Sequence, residues 1–173
     1  MGDEAIWLVG MMGAGKSAVG AVLAGRLGRT LLDTDLELER RAGLTVREIF
    51  ERYGEAEFRR RERALLLELL GSPQVVALGG GGLSEPGLAR ELAGKVTLVY
   101  LRARPETLAA RLGEALDRPL LRGLPAAERL ERIRALLERR AADYEKAAVV
   151  VDTDELGVEQ VAEAVLCALA QRR

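Results

Sequence analysis

Short apolar runs recur along the chain and alternate with longer segments that mix apolar and charged residues. The apolar runs are AIWLV (5–9), TLLD (30–33), VVAL (75–78), VTLVYL (96–101) and VVVD (149–152). Their length and their content of Val, Ile and Leu are typical of β-strands. Since the runs are apolar throughout rather than alternating, we expect helices to cover both faces of the sheet, as in parallel sheets.

The segments between the runs repeat apolar residues at helical spacing. They are 16–27, a long charged stretch after the second run, the region near 85–92, 105–112, 126–147 and the residues after Gly157. This alternation predicts an α/β fold of three layers, with a five-stranded parallel sheet flanked by helices in a single domain of residues 1–173. Residues 113–125, GEALDRPLLRGLP, follow neither period, and we expect a mobile loop there.

Composition narrows the chemistry that the chain can perform. Its 173 residues include no histidine and one cysteine, Cys167, which we expect on a buried helix face. Imidazole bases, Ser-His-Asp triads, cysteine or histidine zinc sites and an internal disulfide are therefore excluded. Proton transfer must depend on carboxylates or on the substrate.

Charge and hydropathy restrict the location and the partners. The formal net charge is −1, which argues against a general nucleic-acid-binding surface. No signal-peptide pattern is present, and no apolar run approaches the roughly 20 residues of a membrane helix. We expect a cytoplasmic monomer that binds small molecules and neither nucleic acid nor membranes.

GMMGAGKS, residues 10–17, is the most specific motif in the chain. It fits GxxxxGK[ST] and lies between the first predicted strand and the first helix, the context that a phosphate-binding loop (P-loop) requires. Its glycines let successive N–H groups turn inward, and the helix N-terminus adds positive potential. Lys16 is expected to reach the β- and γ-phosphates of a nucleotide, and the Ser17 hydroxyl to ligate Mg²⁺.

The rest of the chain indicates which class of P-loop protein this is. A GTPase usually reads guanine with an Asn-Lys-x-Asp element, and the sequence contains no asparagine. A motor-type ATPase would carry acidic residues after a central strand, whereas VVAL runs into four glycines, 79–82. A small phosphotransferase remains, with its acceptor site built from residues after the second strand.

Two aspartates follow the second strand, at the carboxyl edge where open α/β sheets bind ligands. Asp33 is suited to holding Mg²⁺ through water. Asp35 is suited to accepting a hydrogen bond, and the proton, from an attacking hydroxyl. The alternative is that Asp35 only caps the helix LELERR. Arg59 lies in an arginine-rich helix, a pattern more typical of a solvated face.

Together, GMMGAGKS, LLDTD, GEAEFRRRE, LGGG, DRPLL and RRAADY resemble the shikimate kinases in order and spacing over almost the whole chain. The resemblance implies a fold similar to nucleoside monophosphate kinases. It also implies ATP- and Mg²⁺-dependent phosphorylation of the 3-hydroxyl of shikimate, in the pathway to aromatic amino acids.

Site residues follow from this resemblance position by position. It implies that the substrate is bound by Asp35, Arg59, Gly79, Gly80, Gly81 and Arg140. It implies that ATP is bound by Gly13, Ala14, Gly15, Lys16, Ser17, Ala18, Arg111 and Arg118. Asp35, Lys16 and Arg118 would be catalytic, with Arg118 carried by the lid of residues 113–125 and the acceptor-binding segment spanning about 34–62.

The chain departs from the family pattern at several positions. Ala18 replaces the usual threonine after Ser17, and Gly82 extends the usual three glycines. RRAADY lacks the family's proline, so Arg139 is the alternative to Arg140 as the second carboxylate clamp. The loop after VVVDT lacks a proline that often packs against adenine, which leaves base selectivity open.

Two other functions are compatible with the P-loop. One is a kinase for another small acceptor, such as gluconate or a nucleoside monophosphate, although paired arginines and a glycine loop fit a small hydroxylated acid better. The other is a catalytically silent binding module, which predicts the loss of Lys16, Asp35 or Arg118. The sequence retains all three.

Overall fold

A computed structural model describes residues 5–85, 87–113 and 120–172. Within these ranges the strands are β1 (Ile6–Val9), β2 (Leu31–Asp33), β3 (Val75–Ala77), β4 (Thr97–Arg102) and β5 (Val149–Asp152). The helices are α1 (Lys16–Leu27), α2 (Thr34–Ala42), α3 (Val46–Glu68), α4 (Leu88–Leu92), α5 (Pro105–Leu112), α6 (Ala126–Tyr144) and α7 (Val158–Gln171).

The strands form the predicted parallel sheet, in the order β2-β3-β1-β4-β5. Because parallel strands end at the same edge, this order brings three segments together. The P-loop follows β1, Asp33 ends β2 and the glycine segment follows β3, and these three strands are neighbours. The topology therefore places all three at one edge of the sheet.

The core lies at the centre of the sheet. All residues of β1 and β3 are buried, as are the first five residues of β4, and Trp7 and Leu8 are fully enclosed. The expectation that both faces are covered is wrong for β5, where buried and exposed residues alternate and Val150 is exposed. In the described part of the chain β5 pairs only with β4, and an edge strand leaves more of its surface in solvent.

Several helix boundaries differ from those that the sequence predicts. Helix α6 ends at Tyr144 rather than near Ala147, and α4 begins at Leu88. Helix α3 is bent at Gly54, whose φ of 82° and ψ of 169° are not helical. The bend separates a first part capped by Thr45 from a second part that carries Arg59.

The predicted burial of Cys167 is wrong, because this side chain is exposed on α7. Its apolar neighbours suggested a buried face, but the buried residues of that helix are Val161, Ala162 and Val165. No helix in the described ranges has the length and apolar composition that crossing a bilayer requires.

Candidate active site

The P-loop connects β1 to α1 through a turn that needs glycine. Gly10 has a φ of 143°, and a Cβ there would lie 2.6 Å from the carbonyl oxygen of Leu101. Gly15, the N-cap of α1, has a φ of 92°. Side chains at these positions would strain or obstruct the loop, so glycine keeps its main chain open toward the helix N-terminus.

Lys16 is buried at the base of this loop. Its Nζ donates hydrogen bonds of 2.8 Å and 2.9 Å to the carbonyl oxygens of Gly10 and Met11. The side chain also lines a cavity at the carboxyl edge of the sheet. The ammonium is therefore held beside the space where the motif requires a phosphate.

Asp33 connects the P-loop to the start of α2. Its Oδ2 accepts a hydrogen bond of 2.5 Å from the Ser17 hydroxyl, and its Oδ1 accepts from the main-chain N–H groups of Asp35 and Leu36 at 3.0 Å and 3.3 Å. Asp33 is thus the N-cap, and the reading of Asp35 as the cap is wrong. The helix begins at Thr34, before the segment LELERR, so Asp35 lies within the first turn.

Two cavities adjoin at this edge. The first, the nucleotide-side cavity, is lined by Met12, Gly13, Gly15, Lys16, Ser17, Ala18, Asp33, Asp35, Leu78, Gly79, Gly80, Arg111 and Leu112. The second, the acceptor cavity, is lined by Met12, Asp35, Val46, Phe50, Phe58, Arg59, Glu62, Gly79, Gly80, Gly81, Leu120 and Arg140. Met12, Asp35, Gly79 and Gly80 line both, so a group bound in one cavity can face a group bound in the other across Asp35.

Arg59 enters the acceptor cavity from the second part of α3. Its Nη1 donates a hydrogen bond of 2.6 Å to Oε2 of Glu62, and its Cζ lies 5.2 Å from the ring centroid of Phe58. These contacts hold the guanidinium over the cavity. By contrast, Arg60 is exposed and pairs with Glu57 on the outer face of the helix.

Glu62 is the least expected member of this site. Its side chain is only 3% exposed, and its Oε1 has no hydrogen-bond partner in the described structure. Burial raises the pKa of Glu62, while the neighbouring Arg59 opposes the rise. A buried carboxylate oxygen without a partner is costly, and it belongs to a residue that also lines the acceptor cavity.

The glycine loop, Gly79 to Gly81, separates the two cavities. A Cβ on Gly79 would lie 2.4 Å from Oδ1 of Asp35, and one on Gly81 would lie 2.4 Å from Nη2 of Arg59. The missing side chains therefore leave the space that these two functional groups occupy. The fourth glycine, Gly82, donates its N–H to the carbonyl of Gly79 at 2.8 Å and closes a turn.

Arg140 reaches the acceptor cavity from α6, opposite α3. It is buried, and its Nη1 donates a hydrogen bond of 2.8 Å to the carbonyl oxygen of Gly80. Arg139 is exposed and does not line the cavity. Of the two arginines that the sequence left open, the structure places Arg140 beside the glycine loop.

Arg111 lies on the nucleotide side. Its Nη1 and Nη2 donate to the side-chain and main-chain oxygens of Thr153, at 3.0 Å and 2.5 Å. Thr153 follows β5, so this contact fixes Arg111 beside the loop where an adenine site is expected. Arg118 lies outside the described residues.

One side of the acceptor cavity is apolar, and the sequence did not predict it. Val46, Phe50, Phe58 and Leu120 line it together with Met12 of the P-loop. Phe50 and Phe58 lie on the two parts of α3, with ring centroids 4.7 Å apart. Only the bend at Gly54 brings the two rings together, and the sequence pattern gives no direct sign of that contact.

Comparison with known proteins is consistent with this geometry. A sequence model of the shikimate kinase family matches residues 12–170. The chain belongs to the shikimate kinase family. Shikimate kinase of Thermobifida fusca is 47% identical over 158 residues, which cover 90% of this chain and 89% of the relative.

Solved structures place the fold in the same family. Shikimate kinase from Acinetobacter baumannii in complex with shikimate aligns with a TM-score of 0.92 and 35% identity, covering 98% of this chain and 94% of that one. A gluconokinase from Sinorhizobium meliloti 1021 aligns with a TM-score of 0.59 at 20% identity, over 98% of this chain and 93% of that one, and shares the fold alone. The predicted P-loop kinase fold and the assignment to the family are therefore confirmed, and the chain is a kinase that uses a nucleotide.

Proposed function

We propose that the chain transfers the γ-phosphate of ATP to the 3-hydroxyl of shikimate, giving shikimate 3-phosphate and ADP on the route to chorismate and aromatic amino acids. One observation carries the proposal: a P-loop cavity and a cavity with two arginines adjoin at Asp35. The first arrangement suits a nucleotide, and the second suits a small anion with hydroxyl groups.

The acceptor cavity matches the chemistry of shikimate on each side. The guanidinium groups of Arg59 and Arg140 come from different helices and suit the two oxygens of a carboxylate. The carboxylate of Asp35 is an acceptor for hydroxyl groups, and that of Glu62 lies beside the same cavity. The apolar side chains Phe50 and Phe58 suit the carbon ring.

Phosphoryl transfer depends mainly on alignment and charge neutralisation. Lys16 and the main-chain N–H groups of the P-loop would bind the terminal phosphates of ATP. Asp35 would orient the acceptor hydroxyl and take its proton. A further positive charge on the phosphates is predicted from Arg118. Arg111 is predicted to contact the adenine.

The side chains at the end of the P-loop and at the end of β2 fit Mg²⁺. Ser17 Oγ and Asp33 Oδ2 are oxygen donors 2.5 Å apart in the nucleotide-side cavity, and Mg²⁺ prefers such donors. The described residues contain no group of three or more acidic, histidine or cysteine side chains able to hold a metal by themselves. Phosphate oxygens and water would complete the coordination, with Asp33 acting through water. When bound, Mg²⁺ neutralises charge on the transferred phosphate.

An ADP-release assay with shikimate, gluconate and AMP as alternative acceptors tests the proposal. We expect substantial turnover only with shikimate. ³¹P NMR of the product should show a single phosphate, attached to the 3-oxygen. A reaction without acceptor gives the background of ATP hydrolysis. Turnover restricted to gluconate or AMP would contradict the proposal. The cytoplasmic location and the monomeric state stay predictions.

A further inference from the structure

Two buried hydroxyl groups hold the main chain of the glycine loop. The N–H of Gly79 donates a hydrogen bond of 2.9 Å to Oγ1 of Thr34, and the hydroxyl of Tyr144 donates to the carbonyl oxygen of Gly80. Thr34 is fully buried and Tyr144 is 2% exposed. Because the loop has no side chains, its shape depends on main-chain contacts, and these two add to those made by Gly82 and Arg140.

Each hydroxyl is linked to a side chain that faces the acceptor. Thr34 immediately precedes Asp35, and Tyr144 follows Arg140 by one helical turn. Neither Thr34 nor Tyr144 is among the residues that line the two cavities. They contact the site through the loop and, for Tyr144, also through Arg140, so they act on a ligand indirectly.

The carbonyl oxygen of Gly80 accepts from both Tyr144 and Arg140. A part-buried carbonyl that loses its donors costs free energy. If Arg140 turns its guanidinium toward a bound carboxylate, Tyr144 keeps the carbonyl satisfied. Tyr144 thus lowers the cost of moving Arg140 from the loop to the ligand.

The surroundings keep Tyr144 in this role. Its ring packs on that of Tyr100 from β4, with centroids 5.0 Å apart. Burial raises the pKa of Tyr144 to about 12, so the hydroxyl keeps its proton and remains a donor at neutral pH.

We propose that Thr34 and Tyr144 are positioning residues of the acceptor site, which hold the glycine loop in the shape that sets the gap between Asp35, Arg59 and Arg140. The inference rests on the proposed function, since shikimate is the ligand whose binding the loop would control. It adds two residues that touch neither substrate nor nucleotide.

Steady-state kinetics of Tyr144→Phe and Thr34→Val test this inference. Each variant keeps the approximate shape of the side chain and removes its hydroxyl. The loss of one hydrogen bond corresponds to an increase of about 3- to 10-fold in KM for shikimate. KM for ATP should stay within about twofold, because P-loop amides and Lys16 bind the nucleotide.

Two matched variants serve as controls. Tyr100→Phe removes the hydroxyl of the stacked neighbour and should leave both KM values unchanged. Thr34→Ser keeps the hydroxyl and should restore a KM for shikimate close to that of the wild type. If Thr34→Val fails to fold, Tyr144→Phe still carries the test, because its ring packing is retained.

The outcomes separate the two proposals. An unchanged KM for shikimate in Tyr144→Phe, or equal rises in both KM values, would overturn the positioning role while leaving the proposed function intact. Absence of shikimate turnover by the wild type would overturn the proposed function, and this inference with it.

Discussion

A Cβ atom on Gly79 would lie 2.4 Å from Oδ1 of Asp35. The main chain of Gly79 does not require glycine, since its φ lies outside the left-handed region. Gly79→Ala should therefore fold and displace the carboxylate of Asp35. Because a shift of about 1 Å in a catalytic group can reduce turnover about 100-fold, we expect kcat to fall by 10- to 100-fold. Steady-state assays and thermal unfolding of the same sample measure the two effects.

Gly25→Ala is the matched control for that substitution. Gly25 is an exposed residue of α1, and a Cβ there meets nothing within 4 Å. Alanine favours the helix by about 0.5–1 kcal/mol, so this variant should unfold at a slightly higher temperature with unchanged kcat. A wild-type kcat for Gly79→Ala would mean that the position of Asp35 does not limit turnover.

Asp35→Asn should separate catalysis from stability, with Asp33→Ala as the reference for loss of the helix cap. Asp33 caps α2 through two main-chain N–H groups, so Asp33→Ala should lower the free energy of unfolding by about 1 kcal/mol. Asp35→Asn should leave that free energy unchanged and lower kcat by about 100-fold, as expected for the loss of a proton acceptor. Chemical denaturation and kcat measure both quantities. If the Asp35→Asn variant is destabilised but keeps its activity, Asp35 has a structural role and is not the proton acceptor.

The sequence predicts those parts of the site that follow directly from a strand. The P-loop, Asp33 and the glycine loop come immediately after β1, β2 and β3, and parallel strands bring their carboxyl ends together. Local pattern is therefore enough to place them. The assignment of Asp35 as the cap fails because α2 begins at Thr34, so that the cap lies two residues earlier.

Other parts of the site depend on contacts between residues distant in sequence. The sequence predicts that Glu62 is an exposed charge in an arginine-rich helix. In the structure, Glu62 is buried beside the glycine loop. Tyr144 gives no sign in the sequence that its hydroxyl reaches Gly80, 64 residues away. Helical periodicity identifies a helix face, but it does not identify the partner of that face.

Arg59→Ala should weaken shikimate binding and spare ATP binding. Arg59 lies in the acceptor cavity and is absent from the lining of the nucleotide-side cavity. Loss of a charge-assisted contact of about 1.5–3 kcal/mol predicts a rise in KM for shikimate of roughly 10- to 150-fold. Arg60→Ala, on the exposed face beside Glu57, should alter neither KM. Equal rises in KM for ATP and shikimate would place Arg59 at the nucleotide instead.

Glu62→Gln should change how stability depends on pH. Burial raises the folded-state pKa of Glu62 above its ordinary value of 4.5, so the unfolded chain releases this proton first as pH rises. The wild type therefore loses stability relative to Glu62→Gln between pH 4.5 and the raised folded-state pKa. Urea unfolding of both proteins at pH 4 and pH 7 measures the difference. A difference that does not depend on pH would mean that Glu62 titrates alike in both states.

Arg140→Lys and Arg139→Lys should differ although both keep the positive charge. Arg140 is buried beside Gly80, where a planar guanidinium can bind a carboxylate through two parallel hydrogen bonds while a lysine offers a single ammonium. We expect KM for shikimate to rise about tenfold in Arg140→Lys, with KM for ATP unchanged. Arg139 is exposed and outside the cavity, so Arg139→Lys should behave as the wild type. Calorimetric titration with shikimate measures the same difference without turnover. If Arg139→Lys alone weakens binding, the clamp lies one residue earlier on α6, and Arg140 serves only to hold the carbonyl of Gly80.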